Sequence, residues 1–97
     1  MHAAALRLEL RIPGARSLKD KRRILKAVQS GITRRFPVAV AEVDFQDQWR
    51  RATIGVAVVG GEAGHVRRLL HSVTQAVAGE PEVELLETAI SYLEEMP

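Results

Sequence analysis

Residues 5–28, ALRLELRIPGARSLKDKRRILKAV, change their hydrophobic period partway along, and that change decides the fold. Up to Ile12 the period is two. Leu6, Leu8, Leu10 and Ile12 alternate with Arg7, Glu9 and Arg11, the pattern of a strand with one buried face. Pro13-Gly14 ends it. From Ser17 onward the period is that of a helix. Ser17 is a good N-cap, and Asp20, three residues on, completes a capping-box pattern. Leu18, Leu25, Val28 and Ile32, supported by Ile24 and Ala27, form the apolar stripe of a helix over about 18–35. Lys19, Arg22, Arg23 and Lys26 share the opposite face.

The rest of the chain adds two strands, a second helix and a last strand. Pro37 stops the helix, and VAVAEVDF (38–45) reads as a strand. QDQWR (46–50) is a hairpin connection, and RATIGVAVV (51–59) returns with Ile54, Val56 and Val58 inward. Gly60-Gly61 breaks that strand. A second helix covers about 62–78, with Val66, Leu69, Leu70, Val73 and Val77 as its stripe and Gly79 at the C′ position. A last strand spans about 83–93. Its alternation slips between Leu85 and Leu86, which predicts a bulge. The order β-α-β-β-α-β predicts an α+β, ferredoxin-like sandwich: a four-stranded antiparallel sheet, order 4-1-3-2, with two helices on one face. This topology puts the helix-one start, the strand 2–3 hairpin tip and the end of helix two at one end of the domain.

Composition narrows the class. Ninety-seven residues make one domain, read as 1–97, and 46% hydrophobic content fills a modest core. No apolar run approaches the length of a membrane span. MHAAALRLEL has no signal-peptide pattern, so the expected location is the cytoplasm, with no membrane partner. Absent cysteine excludes disulfides and Cys-based metal sites or nucleophiles. Asparagine is also absent and Arg outnumbers Lys, which points weakly to a thermophilic source.

Charge is uneven although the net is only +2. Residues 16–35 hold Arg16, Lys19, Lys21, Arg22, Arg23, Lys26, Arg34 and Arg35 against Asp20 alone; residues 80–95 hold glutamates and no cation. Cations at a helix N-terminus oppose the macrodipole. Three readings account for them. They serve an anion at the helix start, phosphate being the obvious one. They pair internally with Asp47, Glu80 and Glu82. Or they are merely solvated and screened. Trp49, the sole tryptophan, sits at the hairpin tip. It is a platform for stacking a base, an anchor in a protein interface, or a cap folded over the domain's edge. Arg50 and Arg51 flank it.

The exposed sheet face argues against the base-stacking mode of RNA-recognition motifs. Its central positions, Arg7, Glu9, Arg11, Thr53, Gly55, Ala57 and Val59, include no aromatic residue. That small apolar row on the third strand suits contact with a second subunit, a possible homodimer. Catalytic patterns are thin. His65 and His71 lie on different sides of helix two, and no serine has a His and a carboxylate nearby in sequence. Glu42, Asp44 and Asp47 have ligand types for a hard cation, but strand alternation fits solvent-facing carboxylates equally. No glycine-rich phosphate loop is present. A small acylphosphatase would need an asparagine. The expectation is therefore a non-enzyme with no cofactor and no resident metal.

SLKDKRRILK, VAVAEVDFQDQWRRATIGVAVV and PEVELLE together resemble the YlxP-like proteins, small bacterial proteins classed as a domain of unknown function. The resemblance covers nearly the whole chain. It implies a ferredoxin-like fold and a cytoplasmic protein often encoded among genes for translation and ribosome maturation. It implies no reaction and no catalytic residues. Its matching positions are Ser17, Lys19, Lys21, Arg22, Asp47, Trp49 and Arg51. The leading expectation is a non-enzymatic RNA- or ribosome-associated protein. Its candidate contacts are Ser17, Lys19, Lys21, Arg22, Arg23, Lys26, Asp47, Trp49, Arg50 and Arg51. The alternatives are a homo-oligomer or protein-interaction module joined through the open sheet face, and a binder of a small phosphorylated ligand.

Overall fold

Alternation in the first strand sets which residues meet the core. In a computed structural model, which describes residues 1–93, β1 runs His2–Arg11, and Leu6, Leu8, Leu10 and the following Ile12 are all buried. Burying each such side chain contributes about 1.5–3 kcal/mol. Arg7, Glu9 and Arg11 point to the other face. The strand starts earlier than its alternation shows. Ala3, Ala4 and Ala5 carry no periodic signal, yet they pair with Val59, Val58 and Ala57 of β3.

The elements that follow are α1 (Leu18–Arg35), β2 (Ala39–Asp44), β3 (Arg51–Gly60), α2 (Ala63–Ala78) and β4 (Glu84–Leu93). The sheet order is β2-β3-β1-β4 with every pairing antiparallel, which is order 4-1-3-2 read from the other edge. α1 lies over β2, and α2 over β1, β3 and β4. Among the described residues the opposite face of the sheet carries no layer. The ferredoxin-like α+β sandwich is thus the fold.

Local signals behave as their chemistry dictates, with instructive exceptions. Ser17 Oγ accepts the Asp20 N–H at 3.0 Å, while the Asp20 carboxylate reaches back to the Arg16 N–H at 3.1 Å, one residue before the cap. The α1 stripe is Ile24, Leu25, Val28 and Ile32, joined by Lys21; Leu18 is only half-buried and Ala27 is exposed. Gly79 closes α2 but in the right-handed region (φ −85°), so its freedom to adopt positive φ is not used. The expected bulge is present: pairing of β1 with β4 shifts so that Leu86 opposes no residue of β1. A second irregularity leaves Val43 unpaired between Glu42 and Asp44.

The chain ends of the elements converge as the topology requires. Ile12 N–H donates to the Arg50 carbonyl at 2.9 Å, and Arg50 Nε donates to the Ala15 carbonyl at 3.2 Å. Arg23 approaches Glu82, beyond α2, at 3.7 Å.

Candidate functional site

Lys21 is the main correction to the sequence reading. It belongs to the basic start of α1 but is only 1% exposed. Its position, three before Ile24 and four before Leu25, places it on the buried stripe. The ammonium donates to the Phe45 carbonyl at 2.6 Å and sits 2.9 Å from Glu42 Oε2. Glu42 Oε2 is buried and has no aligned hydrogen bond among the described residues, so this contact is an ion pair without hydrogen-bond geometry. Lys21 is thus an internal tie between α1 and the end of β2. It is closed to any phosphate.

The residue it grips is unusual. Phe45 has φ +58°, the left-handed region that costs a bulky residue steric strain. Three contacts hold it there. Lys21 takes its carbonyl, Asp44 Oδ1 accepts its N–H at 2.8 Å, and the Arg51 guanidinium stacks 4.8 Å above its ring. Arg51 also lies 3.6 Å from Glu9 Oε2. Arg51, 40% exposed, thus also helps hold the hairpin root. Ser17 is committed as the N-cap.

Glu42, Asp44 and Asp47 do not converge. Glu42 faces α1, whereas Asp44 on the open face pairs with Arg7 at 3.3 Å. Among the described residues no three His, Asp or Glu side chains are grouped to hold a metal.

What remains outside is a row of cations. Lys19, Arg22, Arg23 and Lys26 are exposed along one flank of α1. Arg23 donates to Asp20 Oδ1 at 2.9 Å and approaches Glu82; Lys19, Arg22 and Lys26 have no ion pair among the described residues. The internal-network reading therefore holds for Arg23 with Glu82, and not for Asp47 or Glu80, which show no such pair. Glu94 and Glu95 of the acidic block lie outside the described residues. Trp49 is 49% exposed at the hairpin tip, next to the exposed Arg50 and near Asp47. The Lys21 tie fixes this tip at the same end of the molecule as the first turns of α1.

Asp20 explains how a helix can begin amid so much positive charge. The Arg23 side chain, then the Arg16 N–H, hold its carboxyl below the ordinary 3.8. A carboxylate in the first turn also complements the macrodipole. Because the folded-state value is depressed, its contribution is complete above the unfolded value and lost as pH falls through the folded one. An NMR titration should show the Asp20 carboxyl titrating below 3.8, and Arg23→Ala should move it back up. A midpoint unmoved by Arg23→Ala would refute the pairing.

Comparison with known proteins places the chain. The family model described as "Protein of unknown function (DUF503)" matches residues 3–90. The chain is 33% identical over 70 residues to "Uncharacterized protein YlxP" of Bacillus subtilis (strain 168), covering 72% of this chain and 76% of that protein. A solved structure described as "Structure of the REP associates tyrosine transposase bound to a REP hairpin" aligns with a TM-score of 0.46 at 10% identity; the alignment covers 97% of this chain and 57% of that one.

Proposed function

The chain belongs to the DUF503 family of proteins of unknown function, and from that premise we propose that it is a non-enzymatic polyanion-binding protein whose partner is structured RNA. One observation carries the reading: Lys19, Arg22 and Lys26 stand exposed and unpaired among the described residues along one flank of α1, whose first turns lie at the end that also presents Trp49 and Arg50. Cations on a solvated helix flank meet phosphates as point charges, giving affinity without sequence preference. Selectivity would come from the tip, where the half-exposed Trp49 could stack on an unpaired base.

We assign the contact to the flank of α1 rather than to its N-terminal backbone. Asp20 and Ser17 already cap the first turn of α1, and the Asp20 carboxylate takes up the N–H of Arg16. A small phosphorylated ligand at the helix start would have to displace that carboxylate. The flank of α1 needs no such displacement and suits an extended partner better. Among the described residues no helix is long and apolar enough to cross a membrane.

The test is binding to a fluorescent structured RNA over a salt series, parent against a Lys19→Ala, Arg22→Ala, Lys26→Ala variant. Each phosphate contact contributes about 0.7–0.9 to the slope of log affinity on log salt, so the variant should flatten it by about 2–3. Trp49→Ala should weaken binding to a hairpin loop by about 1–3 kcal/mol while leaving the slope unchanged. Equal binding by parent and triple variant would rule out the α1 flank.

A further inference from the structure

The layer missing from the open face of the sheet is the strongest unexplained feature. Strand alternation and register put Ala3, Ala5, Ala39, Ala41, Gly55 and Ala57 together there. Val43 lies over Gly55, where an added Cβ would come within 3.1 Å of its Cγ1. Val59, 62% exposed, and Leu93 complete this half of the face and run into an open, largely apolar groove of about 870 Å³ at the sheet's end. The central side chains are no larger than valine, so the half is flat. The other half is polar, and its charges are paired within the chain except for Glu87, which lies opposite Glu9 and has no ion pair among the described residues. Arg7 pairs with Glu9 and Asp44, and Arg11 with Glu84.

We infer that this face is covered by the same face of a second copy, making a four-layer α-β-β-α dimer. Size favours it. Three ten-residue strands about 33 Å long and the six-residue β2 of about 20 Å, spaced about 4.8 Å apart, give a flat footprint on the order of 600 Å². Rolled over side chains and extended into the end groove, that approaches the about 800 Å² per partner of a stable interface. The apolar half alone falls well short, so the polar half must take part. That half carries both signs, most of them in intramolecular pairs, so a second copy meets no block of like charge larger than Glu9 with Glu87. An RNA partner would meet a face with no aromatic and no excess of cations. The α1 flanks would point outward on opposite sides of the dimer, independent of the interface.

Sedimentation equilibrium on the purified chain tests this, with Ala57→Glu alongside. Ala57 is exposed at the centre of the flat half, so the charge leaves the core untouched while blocking a dry contact. The parent should sediment at about twice 10.7 kDa at low and high salt alike, and Ala57→Glu at 10.7 kDa with an unchanged circular dichroism spectrum. Ala41→Lys on β2 repeats the test should the first variant fold poorly. A parent that is monomeric at every concentration overturns the inference. So does a dimer that survives both substitutions, which would mean pairing through a sheet edge, β2 or β4, instead. RNA binding per protomer should be the same in parent and Ala57→Glu, so failure here leaves the polyanion reading intact, and the reverse.

Discussion

Glu42→Ala should lower stability by about 3–5 kcal/mol, the cost of leaving one member of a buried ion pair without its partner. For a domain of this size that is a fall in Tm on the order of 15–30 °C. The asymmetry within the pair gives the prediction its edge. The Lys21 side chain is 1% exposed, and without Glu42 it retains only the Phe45 carbonyl. The Glu42 side chain keeps 21% exposure and can turn to water when Lys21 is removed. Lys21→Ala should therefore cost less than Glu42→Ala. Replacing both, Lys21→Met with Glu42→Leu, should recover most of the loss, because an apolar pair of similar volume removes two desolvation penalties at once. The Phe45 carbonyl would still lack its donor, so the hairpin root should loosen in the rescued protein. Trp49, the only tryptophan, reports this directly through its fluorescence anisotropy. Thermal melts in which Lys21→Ala costs more than Glu42→Ala would refute this account of the pair.

The fold was legible because its signals are local. A period of two in 5–12, a period of 3.6 from Leu18, proline and glycine breaks and the slip at Leu85-Leu86 each report on neighbouring residues, and element order then leaves few topologies. The extension of β1 through Ala3–Ala5 was not legible, since alanine contributes no periodic contrast and only pairing with β3 makes those residues a strand. The bulge at Val43 has only a faint sequence mark: Val38-Ala39-Val40-Ala41 alternates, Glu42-Val43 breaks the phase, and the shift arises where β2 meets the left-handed Phe45. Phe45 has no sequence signature for positive φ, which ordinarily selects glycine or asparagine. In the candidate site, exposure of Lys19, Arg22, Arg23 and Lys26 followed from helical spacing alone. The same spacing put Lys21 on the buried stripe; charge suggested the surface, and period was the better guide. Its partner Glu42 could not be read at all, because the pair joins α1 to β2 across tertiary space.

Glu9→Ala is the second substitution with a large expected effect, about 2–4 kcal/mol, and the reason lies in what Glu9 leaves behind. Both of its carboxylate oxygens lie 3.0 Å from Thr53 Oγ1, and Thr53 is fully buried. Arg7 Nε donates to it at 2.7 Å, and Arg51 stands 3.6 Å away. The Arg7 contact adds little, since its side chain is half exposed and screened by water. The loss comes from the other two. Thr53 would keep a buried hydroxyl with no acceptor, and Arg51, whose Nε already lacks a partner among the described residues, would lose its nearest carboxylate. Thr53→Val removes only a donor of nearly the same shape and should cost about 1 kcal/mol. The double variant should then cost less than the two single ones added together, because the orphaned hydroxyl is gone. Additivity in denaturant melts would mean the two side chains are energetically independent despite their contact. Glu9 also lies inside the face inferred to bury a second copy, so the cycle belongs in the Ala57→Glu background. There, any coupling reflects folding of one chain, and the excess measured in the parent over that value is the share of Glu9 in assembly.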